Sequence, residues 1–193
     1  MKLNGFMRFI GGIPERHWRA RFSQLRHFTY SCTVFHLINA IRKITQIAAL
    51  HHELAASCKG EVMLYRGVRG KLPDSFYKPD VQGFITAVDF GFVSTSTDPN
   101  VPVSFMAPDS LNVLWVMHGS HGADSAGQLH NGAVLQPLSQ FPAETETLLP
   151  PLCVLQVLKD EVTGAFRIED KEGKNRKGDA AQYKEIYVSP CFI

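Results

Sequence analysis

Two glutamates stand two residues apart in the stretch QFPAETETLLPP, which runs from Gln140 to Pro151. On an extended backbone, alternate side chains point to the same side, so Glu144 and Glu146 are expected to present two carboxylates on one face. Two anions on one face repel each other unless a site uses them, for example to orient a cation and remove a proton. The alternative is a solvated strand edge that carries charge against aggregation.

Two further short pieces carry groups that could work with these carboxylates. Arg66 lies in LYRGV and offers a planar, permanent cation with forked donors. Ser94, Thr95 and Ser96 lie in GFVSTST and offer hydroxyls on a second strand-like run. Taken singly, such an arginine is usually a structural or surface cation, and such hydroxyls are usually polar strand formers. Their occurrence together, in this order before the Glu pair, favours a common site.

The surrounding pattern predicts the elements that would position these side chains. Apolar residues at spacings of three and four predict a helix over 33–57. About seven short strands follow it, without regular alternation with helices, which is typical of the α+β class. A loop rich in proline covers 72–83, a loop rich in glycine covers 120–132, and a charged hairpin tip covers 170–179. The predicted strands include 61–68, 91–97, 112–119, 165–170, 184–190 and one within 147–160.

The three pieces make the chain resemble the arginine-specific mono-ADP-ribosyltransferases of the arginine–serine–glutamate type. This family includes clostridial and cholera-toxin-like enzymes and vertebrate ectoenzymes, and LYRG, FVSTS and ETETLLPP match its three motifs. The likeness covers Leu64 to Pro151 and extends more loosely from Thr33 to the last strand. It implies an α+β fold with a split β-sandwich core of two mostly antiparallel sheets, preceded by one or more helices.

The resemblance also implies roles for the catalytic residues. The substrate would be NAD, split between nicotinamide and ribose through a transition state like that of glycosidic bonds. Glu146 would stabilise the positive charge on the ribose and hold its 2′-hydroxyl, and Ser94 would fix Glu146 by a hydrogen bond. Arg66 would bind the NAD phosphates. Glu144 would orient an acceptor arginine and remove a proton from it.

Four more residues are expected to contact NAD. Gly67 would leave room for close approach of the backbone. Thr95 and Ser96 would extend the strand, with Ser96 facing the site because it has the parity of Ser94. Phe105 would place an aromatic ring against nicotinamide, with packing in the core as the open alternative. No metal is required.

The expected function is transfer of ADP-ribose from NAD to an arginine side chain of a protein acceptor, with release of nicotinamide. Hydrolysis of NAD by the same residues is the first alternative, because water can take the place of the acceptor. A catalytically silent module with the same fold is the second alternative. The expected partners are NAD and the acceptor protein, and the chain is expected to be a monomer.

Composition is consistent with one globular domain. The chain has 193 residues, 45% of them hydrophobic, and a formal net charge of +2, which implies neither nucleic acid nor membrane as a partner. Residues 1–30 carry six Lys or Arg residues against one Glu, so they are interpreted as a basic leader, flexible or surface-binding, ahead of a catalytic domain over 31–193. No secretory signal or membrane-spanning run is visible, which favours a cytoplasmic location over secretion.

Cysteine and histidine spacing predicts no metal centre. The four cysteines, Cys32, Cys58, Cys153 and Cys191, form no CxxC pair, so buried thiols are expected ahead of disulfides. His118 and His121 stand three residues apart in HGSHG, but no third ligand stands at a suitable spacing.

Overall fold

The computed structural model describes residues 2–10, 30–50, 62–119 and 132–192 of the chain. In these ranges, two α-helices precede the strands and one short α-helix lies among them, without regular alternation of strands and helices, as the α+β expectation requires. The helices are α1 (Lys2–Ile10), α2 (Ser31–Leu50) and α3 (Asn100–Ser104). The strands are β1 (Val62–Arg69), β2 (Thr86–Asp89), β3 (Val93–Ser96), β4 (Asn112–Gly119), β5 (Ala133–Val134), β6 (Glu146–Leu149), β7 (Cys153–Val157), β8 (Ile168–Lys174) and β9 (Ala180–Phe192).

The described strands are connected in one hydrogen-bonded order, but a single residue pair joins its two parts, which we describe as a larger and a smaller sheet. Their hydrogen-bonded order is β2-β7-β9-β4-β1-β3-β6-β5, with β8 beside β9. β1 and β3 share only the pair Tyr65–Ser96, so the larger sheet ends at β1 and the smaller sheet, β3-β6-β5, begins there. Among the described strands, β4 and β9 are parallel and the other neighbours are antiparallel. The expected pair of mostly antiparallel sheets is present.

The main hydrophobic core joins the two sheets. Val93 and Leu149 of the smaller sheet cluster with Leu64, Trp115 and Val188 of the larger one, and all five are buried. Burying an aliphatic or aromatic side chain of this size contributes about 1.5–3 kcal/mol. The core therefore fixes the relative position of the sheets, although backbone pairing between them is limited to one place.

Strand β4 is buried on both faces, as its continuous apolar sequence predicts. Val113, Trp115 and Met117 face the main core. Leu114 and Val116 face the opposite side, where they pack with residues of and next to α3. The predicted bounds of this strand, 112–119, are those observed.

Helix α2 covers the smaller sheet with its apolar stripe. Ile41 is buried against Phe92 and against Ala133 of β5, and Val34, Ile38, Ile44 and Leu148 pack around them. The stripe used to predict the helix is thus the face that packs. The helix is predicted over 33–57 and observed over Ser31–Leu50, and residues 51–57 lie outside the described residues, as do residues 120–131 of the predicted glycine-rich loop.

Helix α1 occupies the start of the predicted basic leader. The Asn4 side chain donates to Phe92 O at 3.1 Å and accepts from Phe92 N at 2.9 Å, just ahead of β3. Residues 2–10 are therefore packed against the sheet region, unlike the flexible arm expected for this part of residues 1–30, and residues 11–29 lie outside the described residues. Within the described ranges, no helix combines the length and the apolar character needed to cross a membrane.

The cysteines differ partly from the expectation of buried thiols. Cys153 on β7 is buried, and burial is the main reason that the pKa of its thiol rises to about 12. Cys32 and Cys191 are exposed free thiols, so the expectation is wrong for them. Cys32 lies in the first turn of α2, outside the apolar stripe, and Cys191 lies near the end of β9. Cys58 lies outside the described residues.

Candidate active site

Ser94 and Glu146 lie on neighbouring strands of the smaller sheet. The register of β3 and β6 pairs Ser94 with Leu148 and Ser96 with Glu146, so Ser94 and Glu146 are diagonal neighbours. Side chains at diagonal positions share a face, and Ser94 Oγ donates a hydrogen bond to Glu146 Oε1 at 2.6 Å. The predicted contact is present. Such a short bond to a carboxylate is strong, and it fixes the direction in which the carboxylate points.

Arg66 lies on β1, next to the junction of the two sheets. Its Nη1 donates to Ser94 O at 3.0 Å, and its Nη2 donates to Asp89 Oδ2 at 3.1 Å. The side chain is 17% exposed. Burial lowers the pKa of the Arg66 guanidinium, and the charge of Asp89 opposes that change. Arg66 is therefore a largely enclosed cation that is tied to the backbone of β3.

Asp89, at the end of β2, is a site residue that the sequence did not reveal. It accepts from Arg66 and also from Arg8 of α1, whose Nη2 lies 3.2 Å from Asp89 Oδ2. Gly91 N donates to Asp89 Oδ1 at 3.0 Å. One carboxylate thus lies between two guanidinium groups. The available signal was weak, namely an acid five residues before Ser94 in the segment that leads to its strand.

The Glu pair is presented by a turn and not by an extended strand. Pro142–Glu144 forms a 3₁₀ turn, and Thr145 has a left-handed backbone (φ 44°, ψ 46°), so only Glu146 lies on β6. The prediction that both glutamates project from one extended segment is wrong, because this turn replaces it. Ser96 Oγ donates to Glu144 O at 2.8 Å and lies 2.9 Å from Thr145 Oγ1, which ties the turn to β3.

A cavity of about 470 Å³ lies beside the junction of the two sheets. This volume is within the usual range for sites that bind small molecules and cofactors. All the residues predicted to act on NAD or to bind it contribute to its lining, namely Arg66, Gly67, Ser94, Thr95, Ser96, Phe105, Glu144 and Glu146. Tyr65, Val101 and Pro102 also line it. The three motifs therefore meet in one space, although they are separated by up to 80 positions between Arg66 and Glu146.

Thr95 and Ser96 use their hydroxyls within the protein. Thr95 is buried, and its Oγ1 donates to Thr147 O at 2.7 Å, which reinforces the pairing of β3 with β6. The Ser96 hydroxyl, besides its bonds to the glutamate turn, accepts from Asp98 N at 3.0 Å. Both side chains thus contribute to the shape of the cavity wall through bonds inside the chain.

Helix α3 forms one wall of the cavity and packs closely on β1. A Cβ at Gly67 would lie 3.0 Å from Pro102 O, closer than Cβ atoms usually lie to their neighbours, so glycine suits the close approach of α3. Gly67 thus permits a close approach between two parts of the chain, β1 and α3. Phe105 follows α3, is 39% exposed and lines the cavity. The alternative that Phe105 packs in the core is therefore not supported.

Arg176 is a second residue that the sequence did not single out. It lies in the turn between β8 and β9, the predicted charged hairpin tip. Its guanidinium carbon lies 3.5 Å from the centre of the Phe105 ring, and its Nη2 lies 3.3 Å from Glu144 Oε1. Arg176 is one of several charged residues in this hairpin. Nothing in the sequence indicates that its side chain reaches Glu144, which lies more than thirty positions earlier.

The described residues contain no group of three or more His, Cys, Asp or Glu side chains that could bind a metal ion. His118 lies on β4, with its ring 6.0 Å from that of Tyr187. His121 lies outside the described residues. The polar groups that line the cavity are two carboxylates, several hydroxyls and the guanidinium of Arg66.

No protein-family model and no curated protein matches the chain. Among solved structures, it is similar to the ADP-ribosyltransferase HopU1 of Pseudomonas syringae (19% identity, TM-score 0.41), over 72% of this chain and 50% of HopU1. It is also similar to the ADP-ribosyltransferase Vis of Vibrio splendidus (18% identity, TM-score 0.42), over 97% of this chain and 72% of Vis. The eukaryotic mono-ADP-ribosyltransferase ART2.2 has 17% identity and a TM-score of 0.39, over 69% of this chain and 44% of ART2.2. The chain thus spans half the length of HopU1 and less than half of ART2.2.

Proposed function

We propose that the chain is a mono-ADP-ribosyltransferase that transfers ADP-ribose from NAD to an arginine side chain and releases nicotinamide. The observation that carries the proposal is the hydrogen bond of 2.6 Å from Ser94 Oγ to Glu146 Oε1. It fixes one carboxylate at the wall of a cavity that is also lined by an arginine, an aromatic ring and a second carboxylate.

Glu146 has the position and the charge to promote cleavage of the nicotinamide–ribose bond. As that bond breaks, positive charge develops on the ribose, so a fixed carboxylate lowers the energy of the transition state more than that of the bound substrate. Ser94 keeps the carboxylate from turning toward solvent or toward another donor. In this proposal the ribose lies between Glu146 and Phe105, and the ribose 2′-hydroxyl donates to Glu146.

Arg66 supplies positive charge for the NAD phosphates. Its guanidinium is enclosed and already oriented by Ser94 O and Asp89, so little side-chain entropy is lost when a phosphate binds. Guanidinium groups suit phosphate oxygens because their donors are planar and forked. The proposal therefore assigns Arg66 to binding and Glu146 to the chemical step.

Glu144 is assigned to the acceptor. A guanidinium is a cation and a poor nucleophile until a base orients it and accepts its proton. The carboxylate of Glu144 already accepts from a guanidinium, that of Arg176, at the edge of the cavity. This contact supports the assignment, because an arginine acceptor would contact Glu144 through the same kind of group.

The proposal is tested with labelled NAD and agmatine, a small guanidinium acceptor, by following nicotinamide release and labelled agmatine. Glu146→Gln keeps the size of the side chain and removes its charge, so both signals should fall about 10²–10³-fold. Ser94→Ala removes one hydrogen bond to a charged group, so both should fall about tenfold to a hundredfold. Glu161→Gln, an exposed residue of a distant turn, and Ser75→Ala, in the loop over 72–83, are the matched controls and should keep wild-type rates.

Two other results would indicate a different function for the chain. Nicotinamide release that depends on Glu146 but leaves agmatine unlabelled at every concentration would point to a NAD glycohydrolase or to an acceptor other than agmatine. A folded wild-type chain that releases no nicotinamide would refute the enzyme and leave a silent module with this fold.

A further inference from the structure

We propose that Arg176 is an ADP-ribose acceptor within its own chain, so that the protein modifies itself at the tip of the β8–β9 hairpin. The inference rests on the proposed function, and it assigns to that site an acceptor that the three motifs do not contain. Its starting point is the guanidinium of Arg176, which is the group in contact with Glu144 in the structure.

The hairpin tip brings Arg176 to the cavity by backbone contacts. Arg176 N donates to Ser104 O at 2.9 Å, and Arg176 Nε lies 3.2 Å from Ser104 Oγ. A Cβ at Gly173 would lie 2.8 Å from Val103 Cγ1, so β8 also packs closely against α3. Both ends of the arginine, its backbone and its side chain, are therefore positioned against the wall of the cavity.

The turn itself is well defined. Asn175 Oδ1 accepts from Lys177 N at 2.9 Å and from Asp179 N at 3.0 Å. Gly178 has a left-handed backbone (φ 84°), which glycine adopts at little cost. The position of Arg176 thus follows from ordinary turn chemistry and does not depend on its contact with Glu144.

The contacts of Arg176 with Glu144 and Phe105 contribute little to the stability of the fold. The side chains of Arg176 and Glu144 are 56% and 37% exposed, and such exposed pairs contribute little to stability because solvent screens their charges. An exposed stack of a guanidinium on an aromatic ring adds only a small further stabilisation. The same exposure leaves the terminal nitrogens of Arg176 accessible to a reacting ribose.

The proposed step balances in atoms and charge. A terminal nitrogen of Arg176 forms a bond to ribose C1′ of NAD while the bond from C1′ to nicotinamide breaks, and nicotinamide leaves with the electron pair. Glu144 accepts the proton that the guanidinium nitrogen loses. Glu146 faces the positive charge on the ribose during the exchange. NAD is the only co-reactant, and it is the substrate of the proposed function.

An acceptor tied to the site reacts as an intramolecular group. Its effective concentration is set by the hairpin, so the rate of self-modification per chain should not depend on protein concentration. Added agmatine should compete for Glu144 and slow self-modification. Modification should stop at one ADP-ribosyl group at this position.

The experiment uses the full chain with NAD, read by intact mass and by mapping of peptides from a protease that does not cut at arginine. The wild type should gain one ADP-ribosyl group on Arg176, at a rate that stays constant across a tenfold range of protein concentration. Arg176→Gln should abolish that group and raise agmatine labelling, because no internal guanidinium occupies Glu144. The control Arg167→Gln, which changes an arginine stacked on Tyr187, should still be modified.

Transfer between chains is tested by mixing the wild type with an isotope-labelled Glu146→Gln chain. Modification of the wild-type chains alone is expected, and modification of the Glu146→Gln chains at an equal rate would overturn the intramolecular proposal. Labelled agmatine with Arg176 unmodified would also overturn it, while leaving the proposed function in place. Absence of nicotinamide release would overturn both.

Discussion

Replacing Asp89 with asparagine is expected to destabilise the protein more than replacing its partner Arg8 with glutamine. Asp89 is the carboxylate between Arg8 and Arg66, and it also accepts from Gly91 N. Asparagine keeps the size of the side chain and one acceptor oxygen, but it carries no charge. The variant would leave two guanidinium groups facing each other across a neutral amide.

The magnitude follows from the exposure of the three side chains. Arg66 and Asp89 are each 17% exposed, whereas Arg8 is 38% exposed. Removing one charge of a buried pair costs about 3–5 kcal/mol. Because this pair is not fully enclosed and one acceptor remains, we expect a loss of about 2–3 kcal/mol, or a fall in Tm of roughly 4–12 °C at this chain length. Arg8→Gln should cost at most about 1 kcal/mol.

Urea unfolding of the wild type, Asp89→Asn, Arg8→Gln and the double variant measures these values and their coupling. The Asp89 substitution should cost less in the absence of Arg8, because one of the two repelling cations is gone. Asp109→Asn, at an exposed position, is the control and should change the free energy of unfolding by less than about 0.5 kcal/mol. An Asp89 variant no less stable than the Arg8 variant would refute the reasoning.

Three further predictions concern the walls of the site and the core. Gly67→Ala should cost about 1–3 kcal/mol of stability, because its Cβ would lie 3.0 Å from Pro102 O, and an unchanged Tm would contradict this packing. Alkylation followed by peptide mapping should modify exposed Cys32 and Cys191 well before Cys153, and equal rates would refute burial of Cys153. The folded state retains the Cys153 proton up to about pH 12, and an unfolded thiol loses it near pH 9, so the free energy of unfolding should decrease as pH rises through that interval.

The sequence was sufficient to predict the parts that depend on short-range pattern. The apolar stripe of α2 predicts the face that packs on the smaller sheet, and the run over 112–119 predicts strand β4 with the bounds observed. Likewise, Arg66, Ser94 and Glu146 were expected in one site because three motifs occur in one order. In the structure, their side chains line one cavity.

The parts that were missed depend on long-range contacts or on one backbone angle. Alternation of side chains applies to an extended backbone. It therefore does not predict the left-handed backbone of Thr145, which turns Glu144 away from the strand. Asp89 and Arg176 reach the site only because β2 and the β8–β9 hairpin are placed there by pairing with β7 and by packing on α3. No local pattern around either residue carries that information.

The single Tyr65–Ser96 pair between the sheets has a consequence for how this site could change over evolution. Arg66 lies on the larger sheet, and Ser94 and Glu146 lie on the smaller one. The width of the cavity therefore depends on the angle between the two sheets. That angle is set by side chains, among them the guanidinium of Arg66 on Ser94 O and the core side chains Val93 and Leu149. Substitutions at such positions could widen or narrow the cavity without breaking a strand ladder, so new substrates could be accommodated at little cost to the rest of the fold.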